Sequence, residues 1–202
     1  MGLEIHALSQ TDIRTLAPYA GDTVIGGCFC PIEGKANPLK ATRAFATRAA
    51  ERGATILRRT GVLGIEPEPG GYTVTATRGP LHARRIVNPA GADAGRIAAV
   101  LGVALNVQGV PIQVSVTAPV ERLTAHLVYA AGRRLTLKQA ADGTIPIGGG
   151  WPGAIDAQGR AVVDQDPLLG NLGRACAMVP GVAGGGRGRT GAVLGRHRQR
   201  HR

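Results

Sequence analysis

The residues with the most chemical promise in this 202-residue chain form a turn, Asn88-Pro89-Ala90-Gly91-Ala92. Ahead of it, Arg84-Arg85-Ile86-Val87 predicts a strand, and behind it the apolar spacing of 92–101 predicts a helix. A strand that passes through a small-residue turn into a helix presents unpaired backbone N–H groups and the positive end of the helix dipole, about half a charge. Ala90, Gly91 and Ala92 let a ligand approach the backbone closely, which suits a phosphate or a ribose. The same pattern also serves as a plain strand-to-helix connection, and the pattern alone leaves both readings open. A full dinucleotide fingerprint, with G-x-G-x-x-G set between a strand and a helix, is absent. Gly148-Gly149-Gly150 follows a strand-like run but leads into Trp151-Pro152, with no helical pattern behind it.

Other reactive side chains are sparse. Cys28-Phe29-Cys30 could bind a metal or a thiol partner, but no second Cys or His pair stands at zinc spacing, so two reduced thiols in a loop is the better reading and no metal is expected. Cys176 is the third cysteine, and three cannot all pair with one another. His126 alternates with apolar neighbours in Thr124-Ala125-His126-Leu127-Val128, which favours a strand residue over a catalytic base.

The elements that position these groups follow from periodicity. Ser9 with Asp12 three residues on suggests a capping box and a short helix over 9–16. Residues 17–38 are rich in Gly and Pro and are expected to form a long irregular connection. Pro38 to Gly53 places Ala41, Phe45 and Ala49 at helical spacing, between a leading proline and a closing glycine. Residues 54–87 read as antiparallel strands turning at Pro69-Gly70-Gly71, where Tyr72, Val74 and Ala76 alternate with threonines. Four strand-like runs follow between 105 and 150, with Asp142-Gly143 as a hairpin turn, and Asp166-Pro167 opens a last helix that ends before Pro180. The fold class is therefore α/β (α+β), an α/β region followed by an antiparallel sheet.

Composition sets the bounds. A fold of this size buries roughly 70% of its unfolded surface, and with 3% aromatic residues its core must be made of Val, Ile, Leu and Ala. The N-terminus lacks the apolar run of a signal peptide, and no window approaches the length of a membrane span, so a cytoplasmic protein is expected. The formal charge of +11 is concentrated at one end: six arginines follow Gly184 with no acid among them, leaving +5 for residues 1–183.

In order, the segments "EGKANPLKATRAFATRAAERGATILRRTGVLGIE", "GGYTVTATRGPLHARRIVNPAGADAGRIAAVLG" and "LTLKQAADGTIPIGGGW" resemble FAD-dependent oxidoreductases of the D-amino-acid oxidase type, the group of the glycine and sarcosine oxidases. The resemblance runs from about Gly26 to Pro180. It implies a partial FAD-binding domain over 1–104, an antiparallel substrate-binding domain over 105–150, a helical return segment over 151–183 and a disordered basic tail over 184–202. It places Val62 beside the adenine, and Asn88, Ala90, Gly91 and Ala92 near the pyrophosphate. Pro89 replaces the commoner alanine and removes one donor there. It also places Asn37 near the flavin ring and offers Lys138 and Gln139 to a substrate carboxylate, although Lys138 equally fits a solvated strand residue.

The chemistry so implied is hydride transfer from the α-carbon of a small amine or amino acid to the flavin, giving an imine that hydrolyses. It needs no dedicated acid/base pair, and the catalytic residues stay unknown. The family's opening strand–G-x-G-x-x-G–helix unit is missing from the resemblance, and so is its closing glycine-rich segment. The expectation is thus a fragment, inactive as a lone chain, whose missing Rossmann unit a separate chain could supply. The tail reads as wrong-frame text of a GC-rich gene. The alternative is a non-enzymatic binding module whose basic tail engages nucleic acid, the less favoured reading.

Overall fold

The computed structural model describes residues 2–184 and the backbone of 187–198. The chain divides into two compact units, Met1–Asn37 with Pro111–Val193, and Pro38–Val110 with Leu194–Arg202. The first 37 residues thus group with the later antiparallel sheet, whereas a single domain over 1–104 was expected. Residues 151–183 likewise belong to that unit.

The first unit opens with strand β1 (His6–Ser9) and helix α1 (Gln10–Leu16). Ser9 is the N-cap: its hydroxyl accepts from the Asp12 N–H while the Asp12 carboxylate accepts from the Ser9 N–H, the capping box expected from the sequence. The Ser9 hydroxyl, donating to the Asp12 carboxylate at 2.6 Å, and then the Ser9 N–H hold that exposed carboxyl below the ordinary carboxylate value. β1 pairs antiparallel with β2 (Gly26–Phe29), joining Ala7 to Cys28. The supposedly irregular stretch 17–38 therefore contains a strand, and Cys28 lies in it. All three cysteines are free thiols.

The main sheet of this unit follows the order β12-β6-β9-β8-β7, from β6 (Val107–Thr117), β7 (Val128–Tyr129), β8 (Thr136–Leu137), β9 (Pro146–Pro152) and β12 (Arg187–Arg198). β8 and β9 meet as the expected hairpin, where Gly143 adopts φ +83°, a conformation glycine takes without strain. A small hairpin, β10 (Ala154–Ile155) with β11 (Ala161–Val162), leads to helix α4 (Gln165–Met178). The α4 N-cap is Asp164, whose carboxylate accepts from the Asp166 N–H, two residues before the expected start. Leu135, Leu137, Ile145 and Ile147 from the sheet pack with Ala175, Val179 and Val182 in the core. Each fully buried aliphatic side chain contributes roughly 1.5–3 kcal/mol.

The tail departs from the expected disorder. The backbone of Arg187–Arg198 runs as β12 beside β6, because a strand edge left unpaired offers a row of N–H and C=O groups. Residues 185–186 and 199–202 of that tail lie outside the described residues.

The second unit contains helix α2 (Pro38–Glu51) and a three-stranded antiparallel sheet of β3 (Val62–Glu68), β4 (Gly71–Ala76) and β5 (Gly79–Ala83). A 3₁₀ turn, Gly91–Asp93, then enters helix α3 (Ala94–Val100). α2 forms where its punctuation predicted, yet it has no buried residue, and Phe45, which shares a face with Ala41 and Ala49, is 78% exposed. No strand forms over 54–60 or over Arg84–Val87. The third strand is Gly79–Ala83, which takes up the edge of β4 opposite β3, so the chain reaches Asn88 as an irregular segment. Ile65, Val74 and Ile97 form this unit's core.

Candidate functional site

In the second unit two of the expected cofactor residues, Val62 and Ala90, pack on one cluster. Val62 at the start of β3 and Ala90 in the turn both pack against Ile65, Val74 and Ile97. Asn88 fixes the turn from inside: its Oδ1 accepts from the Ala90 N–H at 3.2 Å, and its Nδ2 donates to the Ala94 carbonyl at 2.9 Å. One polar side chain thereby ties the approach to α3 to its first residue.

The small residues of the turn have separate tasks. A Cβ on Gly109 would lie 3.1 Å from the Ala92 Cβ, and one on Gly95 would lie 3.1 Å from the Val107 carbonyl and 3.2 Å from that of Leu105. Ala92 and Gly95 are therefore small so that the start of α3 can lie close against the chain at 105–109. Gly91 differs: it takes φ +61°, and a Cβ there would meet nothing within 4 Å. Of the N–H groups at the turn, Pro89 has none, that of Ala90 is spent on Asn88, and those of Gly91 and Ala92 lead the helical turn, where no intrahelical acceptor exists. The turn thus has open space at Gly91 and fewer N–H donors than a turn without proline would offer.

The substrate candidates lie in the first unit. Lys138 Nζ donates to the Ala36 carbonyl at 2.8 Å, so Lys138 and the segment that ends in Asn37 are brought together. Gln139 is 5% exposed, and its amide is taken up by backbone. Its Oε1 accepts from the N–H groups of Leu123 (2.7 Å) and Thr124 (3.1 Å), and its Nε2 lies 2.9–3.2 Å from the carbonyls of Val120, Glu121 and Gly143. Gln139 clamps the 120–124 segment to the β8–β9 turn, which leaves its amide nothing to offer a substrate carboxylate.

Two arrangements had no signal in residue spacing. The Tyr19 hydroxyl lies 2.8 Å from His126 Nδ1, and the Phe29 ring meets His126 edge-on at 5.7 Å. His126 is thus a packed aromatic partner across 107 positions of sequence. In the second unit, the trio of exposed Glu68, half-buried Thr73 and exposed His82 links β3, β4 and β5: Thr73 Oγ1 donates to Glu68 at 2.6 Å and His82 Nδ1 lies 3.1 Å from it. The Thr73 hydrogen bond and then that of His82 hold the Glu68 carboxyl below its ordinary value.

The family model described as FAD dependent oxidoreductase matches residues 1–198. The chain is 32% identical over 145 residues to an opine oxidase subunit of Agrobacterium tumefaciens (strain Ach5), covering 72% of this chain and 37% of that protein. It is 27% identical over 192 residues to glycine oxidase of Geobacillus kaustophilus (strain HTA426), covering 90% of this chain and 48% of the relative. Among solved structures it is similar to L-proline dehydrogenase from P. horikoshii, with a TM-score of 0.86 and 24% identity over 96% of this chain and 53% of the other. The glycine oxidase structure from Geobacillus kaustophilus gives a TM-score of 0.83 at 20% identity, over 98% of this chain and 52% of that one. The chain spans less than half the length of these two curated relatives.

Proposed function

The chain belongs to the FAD-dependent oxidoreductase family, and from that premise we propose that it forms part of an enzyme that oxidises a small amine or amino acid, the 202 residues alone giving little turnover. The match over residues 1–198 carries this reading. The substrate class is supported by the relatives, whose names point to opines, glycine and L-proline.

Bound FAD supplies the acceptor for the hydride that leaves the carbon next to the substrate nitrogen. In this chain the open face at Gly91 suits one edge of that cofactor, with Asn88 holding the turn and Val62 and Ala90 fixing the apolar floor behind it. Ala92 supports the turn through its contact with the 105–109 segment. Lys138 and Asn37 remain the groups proposed to face substrate, whereas Gln139 holds the wall behind them.

Weak FAD binding by the lone chain follows from how few donors the 88–92 turn offers a pyrophosphate. A separate chain that supplies a nucleotide-binding unit would complete the site, and cytoplasmic residence belongs to the same proposal. The test is co-purification. The 202-residue chain, incubated with FAD and gel-filtered, should elute without stoichiometric flavin, and small amines should reduce no flavin in that fraction. Stoichiometric flavin in the protein peak would refute the weak-binding part.

The concentration of six arginines after Gly184 supports a second reading, a binding module for nucleic acid. It requires salt-dependent binding that vanishes when residues 184–202 are removed.

A further inference from the structure

The first unit contains a pocket of about 540 Å³ lined by Lys35, Val120, Arg122, Thr124, Gln139 and the β8–β9 turn from Ala140 to Gly143. We propose that this pocket binds a small organic dicarboxylate, held by Lys35 and Arg122.

The volume lies within the range of small-molecule sites, roughly 300–1,000 Å³. The charge decides the class. Lys35 and Arg122 have neither an ion pair nor a side-chain hydrogen bond among the described residues, so both cations are uncommitted. The single acid in the lining, Asp142, already accepts from the Thr144 N–H at 3.1 Å and its hydroxyl at 2.7 Å. Two free cations against one engaged carboxylate favour an anion. An arginine fork matches a carboxylate in two-point geometry, and a lysine supplies a second point charge. Val120, Ala140 and Ala141 add an apolar part to the lining, which suits a short carbon body.

The walls are fixed before any ligand arrives. Gln139 staples Val120, Glu121, Leu123 and Thr124 to Gly143, and the Val120 N–H donates to the Gly143 carbonyl at 3.1 Å. Thr124 is 3% exposed, with its hydroxyl donating to the His126 carbonyl. Lys138 holds the carbonyl of Ala36, the residue next to Lys35; Lys138 is a positioning residue for this pocket. The ordering left for binding to cost is that of the exposed Lys35 and Arg122 side chains. The inference needs no flavin and stands apart from the oxidoreductase reading.

The experiment is a chemical-shift titration of the ¹⁵N-labelled full chain with succinate at constant ionic strength, with succinamide as the uncharged counterpart. Saturable shifts confined to Lys35 and the amides of 120–124 and 139–143 are expected with succinate, and none with succinamide. Arg122→Gln and Lys35→Gln, both at exposed positions, should each weaken succinate by about tenfold. Ala141→Phe should block binding by volume alone. Lys138→Met should weaken it two- to threefold (roughly, as for a lost positioning contact), and Lys138→Arg should restore it. Absence of saturable shifts in the unsubstituted chain, equal binding of succinamide, or unchanged affinity in Arg122→Gln with its spectrum otherwise intact would each overturn the proposal.

Discussion

Replacing Gln139 by leucine separates two roles for one side chain, because its amide either holds the fold or serves a ligand. Leucine keeps approximate volume and burial but removes contacts to five backbone groups: the N–H of Leu123 and Thr124, and the carbonyls of Val120, Glu121 and Gly143. A hydrogen bond of this kind contributes about 0.5–1.5 kcal/mol net, and a buried group left without a partner costs about 1–3 kcal/mol. Two amide hydrogens cannot serve three carbonyls fully, and the exposed 121–122 backbone can turn to water, so the five losses do not simply add. About 3–4 kcal/mol is expected, at the high end for a single substitution. With a urea slope of about 2 kcal/mol per molar, the midpoint should fall by roughly 1.5–2 M. Urea unfolding followed by far-UV circular dichroism reads it directly. A loss below about 1 kcal/mol, accompanied by loss of ligand binding at full stability, would refute the clamp and return Gln139 to the substrate-binding role expected from the sequence.

Three further outcomes follow from the geometry. Asn88→Ala removes both hydrogen bonds that hold the turn to α3 and should cost about 1–2 kcal/mol, read as faster amide hydrogen exchange over Ala94–Val100. Gly21→Ala would set a Cβ 2.5 Å from the Ala177 carbonyl, a backbone atom, and should destabilise the first unit by about 1–3 kcal/mol in thermal unfolding. Glu68 has a folded-state pKa below its ordinary 4.5, so its contribution is complete above that value and is lost as pH falls through the lowered one. Thr73→Val removes the largest cause, and an NMR titration of the Glu68 carboxyl should show it moving back up towards 4.5.

Local chemistry made part of the fold legible. The Ser9–Asp12 capping box, the Pro38-led helix, the Pro69-Gly70-Gly71 turn and the Asp142-Gly143 hairpin are all set by neighbours in sequence, and each forms as expected. Arg84–Val87 carries strand-like residues but no strand, because Gly79–Ala83 has already taken the β4 edge. Phe45 sits at core spacing on α2 and is exposed, since periodicity shows which residues share a face and not what covers it. The grouping of residues 1–37 with the later sheet was hidden because the contact is long-range: Tyr19 packs on the core built from Leu135 to Val182.

The site divides in the same way. Asn88, Ala90, Gly91 and Ala92 are consecutive or nearly so, and a turn can be read from such a run. Val62 joins them through a shared core that spacing does not show. Lys138 and Gln139 are neighbours in sequence with opposite fates, one reaching the Ala36 carbonyl at the surface and the other buried among backbone groups. Lys35 and Arg122, which line the pocket, are 87 positions apart in the sequence, and only the fold brings them together.

The measurement that tests the central claim most directly is the visible absorbance of the purified 202-residue chain after incubation with FAD and gel filtration, repeated with Gly91→Val. The account predicts flavin mainly in the small-molecule fraction. It also predicts that any residual flavin in the protein peak is lost in Gly91→Val, where a side chain fills the open face of the turn. Stoichiometric flavin in the protein peak, unchanged by the Gly91 substitution, would contradict both the weak binding and the turn as the place where the cofactor rests.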